Sequence, residues 1–357
     1  MRSPSYSKRA CSARRSLTTL LAVLAASVLP VACGGGGDAG GATVWRFAIE
    51  EAAGSVQDAY AQEFKRLIEA RSAGEVEVKV YPYGTLGTSD DLTEQLRMGS
   101  LQFAMASPGH LGKTIPEVQV FLLHFVFSDD DDVNLAAISD RAFRDQLDPL
   151  FPEKGLELLS ILPEGWMVWT TQRAIHEPAD FAGVKIRTMT SPLLLAAYEA
   201  YGASPQAMPY GEVYSALQLN MIDAQVNPVF AIEEMSFYEV TSHMIFSRPA
   251  PFLTTLVSDE RFLGRLEPER RELVEGVVSE LDVYLHDVQR RMNAERLERI
   301  RERKPDMVMI EFDEAERERF RQLALPVRET YRAEVGERGS RLLDALLAAI
   351  ERAQNGD

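Results

Sequence analysis

The feature that most constrains this chain is a segment that occurs twice. LTEQLRMGSLQFAMASP, residues 92–108, runs from a leucine-bearing helical pattern into a short strand that stops at proline. VYSALQLNMIDAQVNP, residues 213–228, does the same. Gly99 and Asn220 mark the two helix ends, and Gly and Asn best tolerate the left-handed backbone that ends a helix. A chance likeness of two short segments is the competing reading. The favoured one is two lobes built on one helix–strand theme.

Other segments point the same way. VWRFAIE, residues 44–50, alternates Trp45, Phe47 and Ile49 against Arg46, Ala48 and Glu50 and reads as a strand. Residues 55–70 read as an amphipathic helix and EVEVKVYP as a second strand. A strand–helix–strand unit implies parallel pairing through a right-handed crossover. The pattern returns in GVKIRTM, in SPLLLAAYEAY and in a short strand near Ala203–Met208. The fold class is therefore α/β. Residues 267–302 predict either one long charged helix or two helices broken near Asn293. One helix of that length could lie across both lobes. Residues 313–353 read as further helix.

A length of 357 residues suits two lobes. Arg2, Lys8, Arg9, Arg14 and Arg15 precede an apolar run, Leu17–Ala32, too short for a membrane span, so residues 1–32 read as a secretory signal. VAC at Cys33 followed by GGGGDAGGA reads as a lipoprotein box and a flexible tether, residues 33–42, although Pro30 stands where Leu is usual. Ordinary signal cleavage is the alternative. Only Cys11 and Cys33 occur, so nothing remains for a disulfide, a thiolate nucleophile or a cysteine metal site. Loss of the five basic signal residues would take the net charge from −16 to −21. So acidic a surface opposes nucleic-acid binding and does not exclude an anionic ligand in a pocket.

Motifs for catalysis are missing. There is no GxSxG, HExxH, GxxxxGK[ST] or strand-linked GxGxxG. The five histidines, 110, 124, 176, 243 and 286, follow no metal-ligand spacing. SDDDD at 128–132 lacks the spaced glycine and distal Glu of a calcium loop and reads as a solvated turn. No metal, cofactor or catalytic residue is expected. MIDAQVNP nonetheless carries Asp223, Gln225 and Asn227 on one strand face, which asks for a purpose.

At residues 182–228, AGVKIRTMTSPLLLAAYEAYGASPQAMPYGEVYSALQLNMIDAQVNP resembles the signature region of TRAP-transporter substrate-binding proteins of the DctP family. The likeness extends over nearly all of 43–350, through LGTSDDLTEQLRMGSLQFAMASPG and FYEV at 237–240. It implies a two-lobed periplasmic binding protein (type II-like) with a long helix spanning both lobes. Lobe I is expected to take residues 43–164 with 253–292, and lobe II 165–252 with 293–350. It implies an extracytoplasmic receptor that closes over a small organic carboxylate and delivers it to TRAP membrane subunits. A receptor coupled to a signalling protein shares every such feature, and a periplasmic enzyme is the third class.

The resemblance also assigns residues. Arg187 would hold the carboxylate, since a guanidinium offers a fixed fork of donors and keeps its charge; alternatively it is a strand arginine paired at the surface. Asn227, aimed by Pro228, would stand beside it, or simply end a strand. Tyr210 would line the cleft or begin a helix in the core. On the first lobe Glu50, Ser89, Met105 and Ser107 are candidates, each open between pocket and structure. Glu50 facing Arg187 would suit a solute with an ammonium or hydroxyl as well as a carboxylate. Sialic acid-binding members carry a second arginine where this chain has Met167, which argues against that solute. Trp166, Met167 and Phe252 complete the candidates and would favour a solute with an apolar body, although strand alternation prevents all of them from facing inward. Asp223 and Gln225 are expected to be structural.

Overall fold

The computed structural model describes residues 42–356. The expected signal, Cys33 and the Gly-rich segment up to residue 41 lie outside the described residues. Among the described residues, eleven strands form two sheets. They are β1 (Thr43–Ala48), β2 (Val76–Tyr81), β3 (Phe103–Ala106), β4 (Leu156–Trp166), β5 (Val168–Thr171) and β6 (Lys185–Thr188). Then come β7 (Ser204–Ala207), β8 (Ala224–Asn227), β9 (His243–Phe246), β10 (Pro251–Asp259) and β11 (Val308–Glu311). The first sheet has the order β2-β1-β3-β10-β4, and the second β11-β9-β5-β8-β6-β7.

Local chemistry explains the elements. The helix Val56–Arg71 starts at Ser55, whose hydroxyl accepts the Asp58 amide at 3.0 Å. It returns the chain to pair β2 parallel to β1, as the strand–helix–strand pattern predicts. In the second sheet, Ser191 and Pro192 start the helix Pro192–Ala200, and β6 pairs parallel with β7. Gly99 (φ 76°) and Asn220 (φ 55°) both take the left-handed conformation that ends their helices.

Two links join the sheets. Met167 alone separates β4 from β5, and Ser247–Ala250 separate β9 from β10. The links bond to each other, the Met167 amide donating to the Ala250 carbonyl at 3.0 Å. The third connection is one unbroken helix, Pro268–Arg303, with no break at Asn293. At about 1.5 Å per residue it runs roughly 54 Å. It packs on the helix Val56–Arg71 and on β4 in the first lobe, and on the helix Val229–Glu234 in the second. Asn293 clips the lobes from the middle of this helix: it donates to the Glu164 carbonyl at 2.8 Å and accepts the Phe230 amide at 3.1 Å.

The C-terminal helix differs from expectation. The helix Glu314–Ala324 stays with the second lobe, where Phe320 meets Trp169 and Phe312. The segment Val327–Asn355, expected with lobe II, instead packs mainly on the lobe I helices Asp131–Ser139 and Arg141–Leu147 and on the turn Pro116–Leu122. Its apolar face, Leu342, Leu343, Leu346 and Ile350, closes the same core as Phe121 and Phe143. An amphipathic pattern says that a face is buried but not against what.

Candidate functional site

β1 and β3 run parallel, so their C-terminal ends share one edge of the first sheet. β6 and β8 do the same in the second. In open α/β sheets that edge is where ligands bind. The two edges face each other across a cavity lined from both lobes.

The first-lobe wall is acidic. Glu50 and Glu51 follow the end of β1, Gln57 comes from the following helix, and Ser89, Ser107 and His110 complete it. One Glu50 oxygen accepts the Ser107 amide at 2.7 Å, while the other is buried with no hydrogen-bond partner among the described residues. Burial pushes this carboxyl up, and nearby His110 with the Ser107 and Ser89 groups pulls it part of the way back. The imidazole of His110 is positioned by Asp90 at 3.3 Å. The hydrogen bond from His110, aided by Lys113, holds Asp90 down at about 2 against its partial burial.

The second-lobe wall is cationic. Arg187 lies in β6 and is 1% exposed. Its Nε and Nη2 both donate to the Met208 carbonyl, at 3.0 and 2.9 Å, and its Cζ lies 6.0 Å from the Tyr210 ring centre. One edge of the fork is thus fixed to protein. Among the described residues no carboxylate pairs with it, and desolvation lowers it to about 10. A buried guanidinium without a counter-anion is costly. Asn227 ends β8 beside it, and its side-chain amide donates to Gln225 Oε1 at 2.5 Å. Gln225 in turn donates to Thr170 at 2.9 Å. Gln225 is therefore structural in a specific way: it leaves Asn227 one orientation. Asp223 has a different task, accepting the Lys185 amide at 2.9 Å and tying β8 to β6.

The walls are closed on each other. Gly211 N donates to the Tyr83 hydroxyl at 3.1 Å, Ala52 N to Glu234 Oε1 at 3.1 Å, and Ser191 Oγ to Gln119 Oε1 at 2.6 Å. Met189 docks on Gly109, where a Cβ would come within 2.6 Å of its sulfur. The cavity retains about 30 Å³, enough for roughly two water-sized spheres. A solute can enter only when the lobes part.

Seven of the ten sequence candidates line this cavity: Arg187, Asn227, Tyr210, Glu50, Ser89, Ser107 and Phe252. Three lie elsewhere. Met105 shares the core face of Phe103. Trp166 faces a separate crevice on the other side of the hinge, and its indole donates to Asp131 at 3.0 Å. Met167 is the hinge link itself, with its side chain in the core around Trp169. Within a strand, alternation sends neighbouring side chains to opposite faces, so Trp166 and the residues next to it do not point together into the cavity. Glu51, Gln57, His110, Met189, Pro228 and Ala231 also line the cavity and were not anticipated. Three of them carried a signal: Glu51 doubles the strand-end acid, Met189 lies two residues beyond Arg187, and His110 follows Ser107 by one turn.

The matched family is described as "Bacterial extracellular solute-binding protein, family 7" (DctP), over residues 47–334. The ectoine/5-hydroxyectoine-binding periplasmic protein UehA of Ruegeria pomeroyi is 36% identical over 345 residues, covering 96% of this chain and 99% of that one. Among solved structures, the periplasmic ectoine-binding protein of the TeaABC TRAP transporter of Halomonas elongata superposes with a TM-score of 0.83 at 36% identity, covering 86% and 99%. An apo, open TRAP periplasmic solute-binding protein from Marinobacter aquaeolei VT8 gives 0.79 at 40% identity, covering 85% and 99%. The buried arginine fork, the opposing acids and the hinged lobes sit on a fold shared along nearly the whole described chain. The chain belongs to the DctP family of bacterial extracellular solute-binding proteins.

Proposed function

We propose that this receptor takes a small zwitterion, a carboxylate joined to a compact cationic group, with ectoine as the first candidate. The observation that carries the reading is the opposition of Arg187, buried without a counter-anion, to Glu50, buried with one oxygen unpartnered. A carboxylate on the free edge of Arg187 would form a charge-assisted pair, with the Asn227 amide beside it. A ring cation with N–H donors would take the free Glu50 oxygen. Tyr210, Phe252 and Met189 supply the apolar walls for the body of the solute. The names of the two ectoine-binding relatives agree with this charge pattern. No step makes or breaks a covalent bond: the solute stabilises the closed lobes through contacts that the open state lacks.

The receptor works outside the cytoplasm for a TRAP-type permease, and we read Cys33 as its lipid anchor from VAC and the Gly-rich run that follows. Labelled fatty acid that is incorporated by the wild type and lost in Cys33→Ser checks the anchor. Calorimetry tests the solute. Ectoine should bind, a monocarboxylate of similar size without the cation should bind more weakly, and succinate should be weakest. A ranking led by succinate would overturn the zwitterion reading.

A further inference from the structure

Next to Glu50 lies a group of acids to which the proposed solute contacts give no role; Glu51 lines the cavity, while Glu164 and Glu234 stand behind its lining. Glu51 lies just past β1, and its carboxyl accepts the Gln57 amide at 3.2 Å. Glu164, fully buried in β4, accepts Gln57 Nε2 at 3.1 Å on one oxygen and has no hydrogen-bond partner on the other. Gln57 thus bridges the two acids, its backbone amide on Glu51 and its side-chain amide on Glu164. The third acid arrives from the other lobe. Glu234 ends the helix Val229–Glu234 and caps Ala52 N with one oxygen, while its other oxygen is buried without a hydrogen-bond partner.

The surroundings do not neutralise three charges. Glu50 adds a fourth acid to the same region. From the long helix, Arg296 approaches Glu234, but it is bonded to Glu233 and to the Gly54 carbonyl at 2.9 Å. Arg303 also goes to Glu233, at 2.7 Å. Tyr210 faces the group from the second lobe and carries no positive charge. Arg187 is held at Met208. Buried carboxylates that crowd one another without cations cannot all ionise.

We infer that closing the lobes loads a proton onto the Glu51–Glu164–Glu234 group, so that the receptor binds its solute together with a proton. With the lobes apart, Glu234 leaves Glu51, and water reaches the acids that face the cleft. In the closed state burial holds Glu164 up at about 7 and Glu234 up at about 8, with Glu51 well above the carboxylate range. A group raised in the closed state favours closure fully below its open-state value. That contribution is lost as pH rises through the closed-state values of about 7 and about 8. Affinity therefore falls with rising pH across this window, by up to about tenfold per pH unit for each proton.

The experiment rests on the zwitterion reading only for its probe. Ectoine is titrated into the purified protein in phosphate and in Tris near pH 7.5, and the difference in heat counts the protons taken up. We expect about one to two protons in the wild type and about two-thirds of a proton fewer in Glu234→Gln, which keeps the oxygen that caps Ala52. Glu164→Gln serves if that variant does not fold. Ectoine binding without proton uptake overturns the inference. Failure of ectoine to bind refutes the zwitterion reading instead, and a second readout then decides. Dyes at Met98→Cys and Leu219→Cys, exposed on opposite lobes, report the lobe separation without solute. A shorter separation near pH 6 than near pH 9 supports the proton-loaded closed state; a constant separation overturns it.

Discussion

The two walls of the cleft are built alike and finished differently. Each is the C-terminal edge of a parallel strand pair, reached from a helix that ends in a left-handed residue. The second-lobe wall finishes with one cation and an amide held by a chain of side-chain hydrogen bonds, from Thr170 through Gln225 to Asn227. The first-lobe wall finishes with two acids, one carrying an oxygen that nothing bonds. The repeated framework thus presents opposite charges to a single molecule. It teaches that lobe duplication sets where a ligand sits, while the last residue or two of each strand set its chemical class.

The contrast can be broken most severely at its cationic side. Arg187→Ala should weaken solute binding by about 30-fold or more, because losing one partner of a buried charged pair costs about 2–5 kcal/mol. Arg187→Lys should recover only part of this, having no fork to share between Met208 and a carboxylate. Calorimetry reads both, and undiminished affinity in the alanine variant would remove Arg187 from the site. On the acidic side, Glu50→Gln should cost a zwitterion about tenfold or more while leaving a simple monocarboxylate nearly unaffected. An equal loss for both solutes would show that Glu50 merely supports the fold. Gln225→Leu is smaller and more specific. It frees Asn227 to turn, so binding should weaken about three- to tenfold, and the melting temperature should fall by a few degrees because Thr170 and Asn227 each lose a buried partner. Trp166→Phe marks the lower limit. Its ring lies outside the cavity, so affinity should shift by less than about twofold.

What could be read from the chain follows the range of the interactions. The strand–helix–strand units, the left-handed ends at Gly99 and Asn220, and the long helix rest on contacts between near neighbours, and periodicity encodes those. Arg187, Asn227 and Tyr210 stood out through a contiguous likeness to a family. The acid group did not, because Gln57 meets Glu164 across 107 residues and Ala52 meets Glu234 across 182. No local pattern carries such a pairing. Trp166 and Met167 misled for the opposite reason: their place in the sequence is beside the cleft, but they form the hinge, where side chains leave in different directions.

The clip at Asn293 has a further consequence. Gly165 precedes the hinge with φ 126°, and a Cβ there would meet the Asn293 side chain at 2.6 Å. Neither residue meets Arg187, Asn227 or Glu50. The apparent affinity of a two-state receptor is its intrinsic affinity scaled by the fraction of molecules in the competent state. Changes at this pair would reset that fraction and so multiply the affinity for every solute by the same factor. Sensitivity and selectivity would then be inherited from separate places, so a lineage facing scarcer nutrient could sharpen its uptake without relearning what to recognise.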